Sequence, residues 1–342
     1  MAMHMSAADL VPMFTEELEL CRLRPGETVG IFTEGGAWAD YADAFAVAGA
    51  ALGASVFHLD LPRETGRTQG EIGGRTQGSG LGSSPVAVEA FKACDLLVDH
   101  TLLLWTPEQH AIKAAGTRIL SCVAPPESLA RLFPSEDIRR RCLEEEAMLQ
   151  QATSLRVTNG AGTDLVYEFG EYYAFCQYGI ADKPGRWDNF ASALAVRAPS
   201  DVNGTLVLQP GDILFPWQRF VVEPVTMTIA GGSIGQIEGG FDAWQLSSML
   251  ASYDDSRAYA VSHIGWGLNE NAAWIPTSEL DSRSYCGSVM FSTGPNTEFG
   301  GTNDTLCHID IPMRDCTVHV DGELVVDRGR IVNELLAPRA SA

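Results

Sequence analysis

The chain has 342 residues, 45% of them hydrophobic and 20% charged, which is typical of an ordered globular protein with two domains. Its 23 Lys and Arg residues against 44 Asp and Glu residues give a net charge of −21, which repels nucleic acid and anionic membrane surfaces. No apolar run reaches the roughly 20 residues of a membrane span. The opening MAMHMSAADL lacks the order of a signal peptide, so we expect a cytoplasmic protein.

Short apolar runs alternate with helix-like segments between Glu27 and about Ala147. The predicted strands are TVGIFTEG, SVFHLDLP, LLVDHTLLLW and TRILSCV, and the predicted helices are ADYADAFAVAGAALGA, VAVEAFKACD and PEQHAIKAAG. Alternation of this kind predicts a parallel sheet flanked by helices. We assign residues 1–150 to this N-terminal α/β domain.

The gap GRTQGEIGGRTQGSGLGSS in that domain contains Gly-Arg-Thr-Gln-Gly twice, at residues 66–70 and 74–78. A phosphate-binding loop would need G-x-G-x-x-G or P-loop spacing before a helix, and the gap has neither. Its Gly and Ser content instead favours a mobile surface loop.

The sequence changes character after the polar helix predicted at PSEDIRRRCLEEEAMLQQATS. Strand and turn signals then dominate, as in LRVTNGAGTDLVYEFG and TVHVDGELVVDRGRIV, where Asn-Gly and Asp-Gly are typical of hairpin turns. One helix is expected at FDAWQLSSMLASYDD. We assign residues 151–342 to a β-rich α+β domain that binds a metal.

Eight cysteines are scattered singly along the chain, without a C-x-x-C pair. In a cytosolic chain of this size we expect reduced and mostly buried thiols rather than disulfides or a cysteine metal site.

The triplet His-x-Asp occurs twice near the C-terminus, as His308-Ile309-Asp310 and His319-Val320-Asp321. Residues i and i+2 of a strand share a face, so either pair could converge on one cation. Asp321 precedes Gly322 between two β-rich runs, which predicts a turn with the Asp side chain bonding its own loop and His319 exposed or on an edge strand. The first triplet lies in a short apolar strand, where it is either a metal site or a hydrogen-bonded His-Asp pair in the core.

A third candidate residue lies in SHIGWGLNENAAW, where His263 is followed by two glycines that allow close backbone approach. Together with His308 and Asp310 it would complete two histidines and one carboxylate, the ligand set of non-haem Fe(II) oxygenases.

Three stretches carry a resemblance to a known family: the run from His263 to Asn269, the His308–Asp310 strand, and QYGIADKPGRWDNF at residues 177–190. They resemble the 2,5-dihydroxypyridine 5,6-dioxygenase family, which belongs to the superfamily of M29 metallo-aminopeptidases. M29 peptidases carry a glutamate where this chain has His263 and use further ligands to hold two metals. The resemblance therefore implies a single metal at this site.

The resemblance implies an Fe(II) dioxygenase that uses O2 to open a hydroxypyridine ring between carbons 5 and 6, giving N-formylmaleamic acid. It further implies a general acid or base from the N-terminal domain, for which His100 is our candidate and Glu108 the next. Gln177, Trp187 and Asp188 are the candidates for substrate contacts. Gln177 is neutral where the family is acidic, so a related hydroxylated N-heterocycle is a possible substrate.

Two alternatives stay open: an M29-like metallo-aminopeptidase and a non-enzymatic small-ligand binder. For each, we expect a homo-oligomer whose partners are small molecules rather than nucleic acid or membrane.

Overall fold

The computed structural model describes residues 7–63 and 80–338, and its contacts divide the chain into two compact units. Of the described residues, the first unit contains 7–63, 80–134 and 178–192, and the second contains 135–177 and 193–338. This division differs from a boundary near residue 150 in two places. The helix at residues 136–151 belongs to the second unit, and residues 178–192 belong to the first.

The helices of the described residues are α1 (Ala7–Leu20), α2 (Ala39–Ala51), α3 (Pro85–Lys92), α4 (Pro107–Ala114), α5 (Pro126–Arg131), α6 (Glu136–Gln151), α7 (Phe241–Ser252) and α8 (Glu279–Ser284).

The strands of the first unit are β1 (Thr28–Glu34), β2 (Ser55–Leu61), β3 (Leu96–Asp99), β4 (Arg118–Ser121) and, later in the chain, β8 (Trp187–Asn189). The strands of the second unit are β5 (Ser154–Thr158), β6 (Asp164–Glu168), β7 (Ala174–Gln177), β9 (Leu194–Arg197), β10 (Asp201–Leu208), β11 (Ile213–Leu214), β12 (Arg219–Phe220), β13 (Val225–Ala230), β14 (Ser233–Gly239), β15 (Val261–Gly267), β16 (Val289–Thr293), β17 (Ile309–Met313), β18 (Thr317–Val320), β19 (Glu323–Asp327) and β20 (Arg330–Ile331).

The first unit contains the predicted parallel sheet, in the order β2-β1-β3-β4-β8. Strands β3 and β4 are buried along their whole length, as continuous apolar runs in a parallel sheet should be when helices cover both faces. The fifth strand, β8, pairs with β4 and comes from a segment that we had assigned to the β-rich domain. Strand β3 ends at Asp99, so the predicted strand LLVDHTLLLW is too long.

Helix α1 precedes the first strand and was not among the predicted elements. Its buried apolar side chains recur every fourth residue, at Leu10, Phe14 and Leu18, which is the spacing of one helix face. Phe14 stacks on Phe45 of α2 with 3.9 Å between the ring centroids, so the helix closes one side of the core of the first unit.

The second unit is built on antiparallel sheets, as predicted for its β-rich sequence. One has eight strands in the order β14-β13-β10-β6-β5-β18-β19-β20, and another has five in the order β17-β16-β15-β9-β7. In β6 buried and exposed residues alternate, which is typical of a sheet with one solvated face. All of β15 and β16 is buried, so the five-stranded sheet supplies the more enclosed environment.

Three further predictions concern the chain as a whole. All eight cysteines are free, and all but Cys286 are buried, as predicted. The duplicated Gly-Arg-Thr-Gln-Gly pentapeptide lies outside the described residues. Among the described residues, no helix combines the length and the apolar character that crossing a bilayer requires.

Candidate metal centre

The candidate site lies in a row of residues that crosses three strands of the five-stranded sheet. Ser292 of β16 pairs with Asp310 of β17, and its neighbours Phe291 and Thr293 pair with both β17 and β15. The part of β15 that lies opposite Ser292 is therefore the part from which a side chain can reach Asp310.

Strand β15 contains a bulge at this level. Two of its residues, Ser262 and His263, lie opposite the single residue Ser292. An extra residue of this kind changes the direction of the side chains around it, and bulges are frequent beside functional sites. If the pairing that begins at Val261 continued without the bulge, His263 would lie opposite Phe291 and point to the other face of the sheet. The bulge thus brings the imidazole to Asp310.

The result is a buried group of three possible metal ligands. One donor atom each from His263, His308 and Asp310 lies within 4.8 Å of the others. The Nε2 atoms of His263 and His308 are 3.6 Å and 3.5 Å from Asp310 Oδ1, and the three side chains are 4%, 9% and 12% exposed in that order. Within residues 7–63 and 80–338, this is the one group of three or more His, Cys, Asp or Glu side chains with such spacing.

Neighbouring polar groups orient two of these side chains. His308 Nδ1 lies 3.1 Å from the Thr293 carbonyl oxygen. A carbonyl oxygen only accepts, so Nδ1 carries the hydrogen and the lone pair of the neutral ring lies on Nε2, the atom that faces Asp310. The Ser292 hydroxyl donates to Asp310 Oδ1.

The surroundings shift the pKa of each of the three groups. Burial would raise the pKa of Asp310, but His308, His263 and the Ser292 hydroxyl together hold it far below its usual range, so the carboxylate is ionised. Burial lowers the pKa of His263 to about 4, so this imidazole is neutral. Burial would also lower the pKa of His308, but the Asp310 carboxylate outweighs it, and the pKa is raised.

This arrangement fits a divalent transition metal. Ligands bind a metal in their unprotonated form, which Asp310 and His263 already have, and the neutral His308 ring would offer the lone pair of Nε2. Two imidazoles and one carboxylate suit non-haem Fe(II) and leave coordination positions open.

The similarity to known proteins covers almost the whole chain. A sequence model of the NicX family, 2,5-dihydroxypyridine 5,6-dioxygenase, matches residues 9–333. The chain is 38% identical over 342 residues to the 2,5-dihydroxypyridine 5,6-dioxygenase of Pseudomonas putida KT2440, covering 96% of this chain and 98% of that protein. The chain belongs to the 2,5-dihydroxypyridine 5,6-dioxygenase family. The predicted resemblance is therefore confirmed.

Two solved structures are similar to this member of the dioxygenase family. The structure of the 2,5-dihydroxypyridine dioxygenase from Pseudomonas putida KT2440 matches with a TM-score of 0.93 at 37% identity, over 97% of this chain and 100% of that chain. AmpT from Thermus thermophilus matches with a TM-score of 0.65 at 16% identity, over 95% and 99% of the two chains. At that identity AmpT shows a shared fold alone. The predicted mixed α/β architecture is confirmed.

His100, the predicted acid or base of this dioxygenase-family chain, lies in the first unit directly after β3 and not inside a strand. The ring is buried with its centroid 5.9 Å from that of Tyr41 and 5.6 Å from that of Phe45. Nδ1 lies 2.7 Å from the Cys122 carbonyl oxygen, and burial lowers the pKa of the imidazole to about 4. The Nε2 atom is buried without a hydrogen-bond partner. Glu108, the second candidate, lies in the first turn of α4.

The predicted substrate residues lie at strand positions. Trp187 and Asp188 belong to β8 of the first unit, and Gln177 ends β7 of the second. The Asp188 carboxylate is fully buried and accepts hydrogen bonds from the amides at 178 and 179 and from the Arg186 guanidinium. Trp187 Nε1 donates to Ser121 Oγ at 3.0 Å. These contacts fit β8 into its sheet, and a role of the three residues in substrate binding stays a prediction.

The second His-x-Asp triplet differs from the first in every contact. Asp321 lies in the turn between β18 and β19 with φ +48°, as its Asp-Gly sequence predicts. Its carboxylate accepts from the amides of Thr153 and Ser154, and not from its own loop as expected. His319 pairs with both β5 and β19, so the prediction of an edge strand is wrong.

Two other residues beside the metal centre could not be recognised from the sequence. Ser292 lies in the apolar run VMFST, where a serine is unremarkable. Phe299 packs its ring 5.3 Å from that of His263 and belongs to an apolar cluster with Val196 and Met290. This cluster forms an apolar wall beside one metal-ligand candidate.

Proposed function

We propose that the protein is a non-haem Fe(II)-dependent, extradiol-like ring-cleaving dioxygenase. Its substrate would be 2,5-dihydroxypyridine or a closely related hydroxylated N-heterocycle, and its product N-formylmaleamic acid. The observation that carries the proposal is the buried set of His263, His308 and Asp310 in a chain of this family. The 38% identical dioxygenase of Pseudomonas putida supports the substrate and the use of O2.

The residues around the centre have separable tasks. Fe(II) held by the three ligands would supply electrons for the reaction with O2 and positions for the substrate. Asp310 contributes the one negative charge of the set, and Ser292 fixes its Oδ1. The carbonyl of Thr293 keeps His308 in the tautomer that presents Nε2.

His100 is our proposed base for the substrate hydroxyl proton. Its Nδ1 hydrogen is donated to the Cys122 carbonyl, so the lone pair lies on Nε2. With a pKa of about 4 the ring is neutral at pH 7, so Nε2 presents its lone pair as an acceptor for the substrate hydroxyl. Glu108 is the alternative base, and Gln177, Trp187 and Asp188 remain the proposed substrate contacts.

The test is anaerobic reconstitution of the metal-free protein with Fe(II), with metal content measured by mass spectrometry and turnover by an oxygen electrode. We expect one iron per chain and O2 uptake that requires 2,5-dihydroxypyridine. The variant His308→Ala should lose both iron and turnover, whereas His319→Ala, in the other His-x-Asp triplet, should keep both. Full iron content and turnover in His308→Ala would show that the ligand assignment is wrong.

The same preparation separates the alternatives. Two metals per chain and hydrolysis of aminoacyl anilides without oxygen would indicate an aminopeptidase. No bound metal and no effect of EDTA on thermal stability would indicate a non-enzymatic binder. Cytoplasmic location and homo-oligomeric assembly stay predictions, to be tested by cell fractionation and by mass photometry.

A further inference from the structure

A buried carboxyl group on α6 joins two strands of the five-stranded sheet. Glu145 is fully buried, and its two oxygens accept hydrogen bonds from the backbone amides of Ala195 and Trp266, at 3.0 Å and 3.3 Å. These two residues are opposite each other in the pairing of β9 with β15. One side chain therefore holds both strands at the same level.

His263 lies three residues before Trp266 on β15, directly before the regularly paired part of the strand. On the β16 side it is part of the bulge, and on the β9 side the pairing begins one residue later, at Ile264. The regularly paired segment from Ile264 to Trp266 follows His263 directly, so a shift of this segment would move the backbone that carries the imidazole.

That segment is packed too closely to shift by itself. A side chain at Gly265 would collide with the carbonyl oxygen of Ala195, so the two backbones are in close contact there. Arg197 of β9 also donates to the carbonyl oxygens of Leu149 and Ala152, at 2.6 Å and 2.9 Å. Helix α6 and the residue after it thus anchor β9 at two levels, and Glu145 extends the anchor to β15.

We propose that Glu145 is a positioning residue of the metal centre: it fixes β15 through the Trp266 amide and so keeps His263 at its distance from Asp310. This inference rests on the proposed function only in requiring that His263, His308 and Asp310 bind a metal. Glu145 touches neither metal nor substrate in this role, and its effect reaches the centre through three residues of one strand.

The experiment compares metal affinity in three full-length proteins: the wild type, Glu145→Gln and the control Asp242→Asn. Glutamine has the shape of glutamate but one acceptor oxygen fewer, so one of the two amides loses its partner. Asp242, on α7 and away from β9 and β15, is the control because it is also buried and accepts from two backbone amides, those of Val222 and Glu223; it pairs with Arg219 as well.

The affinities for Zn(II) and, anaerobically, for Fe(II) are measured by competition with a chromophoric chelator, and folding by circular dichroism and urea unfolding. We expect Glu145→Gln to bind metal about 10- to 100-fold more weakly, the range found when groups that orient metal ligands are changed. Asp242→Asn should lose stability but keep wild-type affinity. If Glu145→Gln does not fold, Glu145→Asp, which keeps the carboxylate, makes the same comparison.

Three results would overturn the inference. A folded Glu145 variant with wild-type metal affinity would show that Glu145 does not position His263. An equal loss of affinity in Asp242→Asn would show a general effect of stability. A wild-type protein without metal affinity would remove the centre itself, and this result contradicts the proposed function as well, whereas the first two leave it intact.

Discussion

Asp212 is a buried carboxyl group whose ionisation makes the stability of the second unit depend on pH. It has no exposed surface and accepts from the amides of Gln209 and Arg314, at 2.8 Å and 3.0 Å. Burial raises its pKa from 3.8 to about 6, although both backbone bonds oppose the shift. Arg314 directly follows β17, so Asp212 holds the end of the strand that carries Asp310.

The sign and size of the effect follow from this pKa. Because the folded state binds the proton more tightly than the unfolded chain, stability is lost as the pH rises from about 4 through 6. One pKa unit corresponds to about 1.4 kcal/mol, so the full difference between 3.8 and about 6 is about 3 kcal/mol. Of this difference in stability, about 1.4 kcal/mol is gained when the pH is lowered from 8 to 5, which is one unit below the pKa in the folded state.

The variant Asp212→Asn cannot titrate and so removes this dependence. We expect the free energy of unfolding of the wild type, relative to the variant, to increase by about 1.4 kcal/mol when the pH is lowered from 8 to 5. Urea unfolding followed by tryptophan fluorescence at several pH values measures it. If the difference in the free energy of unfolding between the two proteins stays constant from pH 8 to 5, whatever its size, the pKa of Asp212 is not raised and the reasoning is refuted.

The remaining predictions concern a buried hydroxyl group and the support of the metal centre. The Tyr167 hydroxyl is buried without a hydrogen-bond partner, so Tyr167→Phe should stabilise the protein by about 1 kcal/mol in urea unfolding. The comparison variant Tyr178→Phe removes a hydrogen bond to a carboxylate and should destabilise the protein by about 1 to 3 kcal/mol. Ser292→Ala should weaken Fe(II) binding about tenfold in a chelator competition without loss of fold; unchanged affinity would exclude its hydroxyl from the support of Asp310. Deletion of Ile264 should restore regular pairing with His263 opposite Phe291, turn the imidazole to the other face and abolish metal binding by mass spectrometry, and a folded deletion variant with full metal content would disprove the role of the bulge.

The parallel sheet of the first unit was predictable because each of its early strands is a continuous apolar run next to a helix-like segment. The pattern did not predict β8, since Trp187, Asp188 and Asn189 are only three residues and two of them are polar. Their burial depends on partners far away in sequence, such as Ser121 for the Trp187 indole. The end of β3 at Asp99 was missed for a similar reason: the apolar run continues into a loop where Leu102 and Trp105 have positive φ.

The metal centre was partly predictable from spacing. His308 and Asp310 are two residues apart, and this spacing is enough to place them on one side of the backbone. The face of His263 could not be read from β15, because the run Val261–Gly267 is buried throughout and a bulge reverses the alternation inside it. The bulge becomes visible only when the pairings of β16 are known on both sides.

The two His-x-Asp triplets show why spacing alone does not make a metal site. In the first, the carboxylate of Asp310 is enclosed by two imidazoles and one hydroxyl, so its charge is buried next to groups that can share a cation with it. In the second, the left-handed backbone at Asp321 turns the carboxylate to the amides of Thr153 and Ser154, which use its acceptor capacity for holding a turn. The carboxylate of Asp310 is largely buried and needs compensating partners, whereas Asp321 is exposed. The fold supplies histidines to Asp310 and backbone amides to Asp321, and only the histidines can also bind a metal.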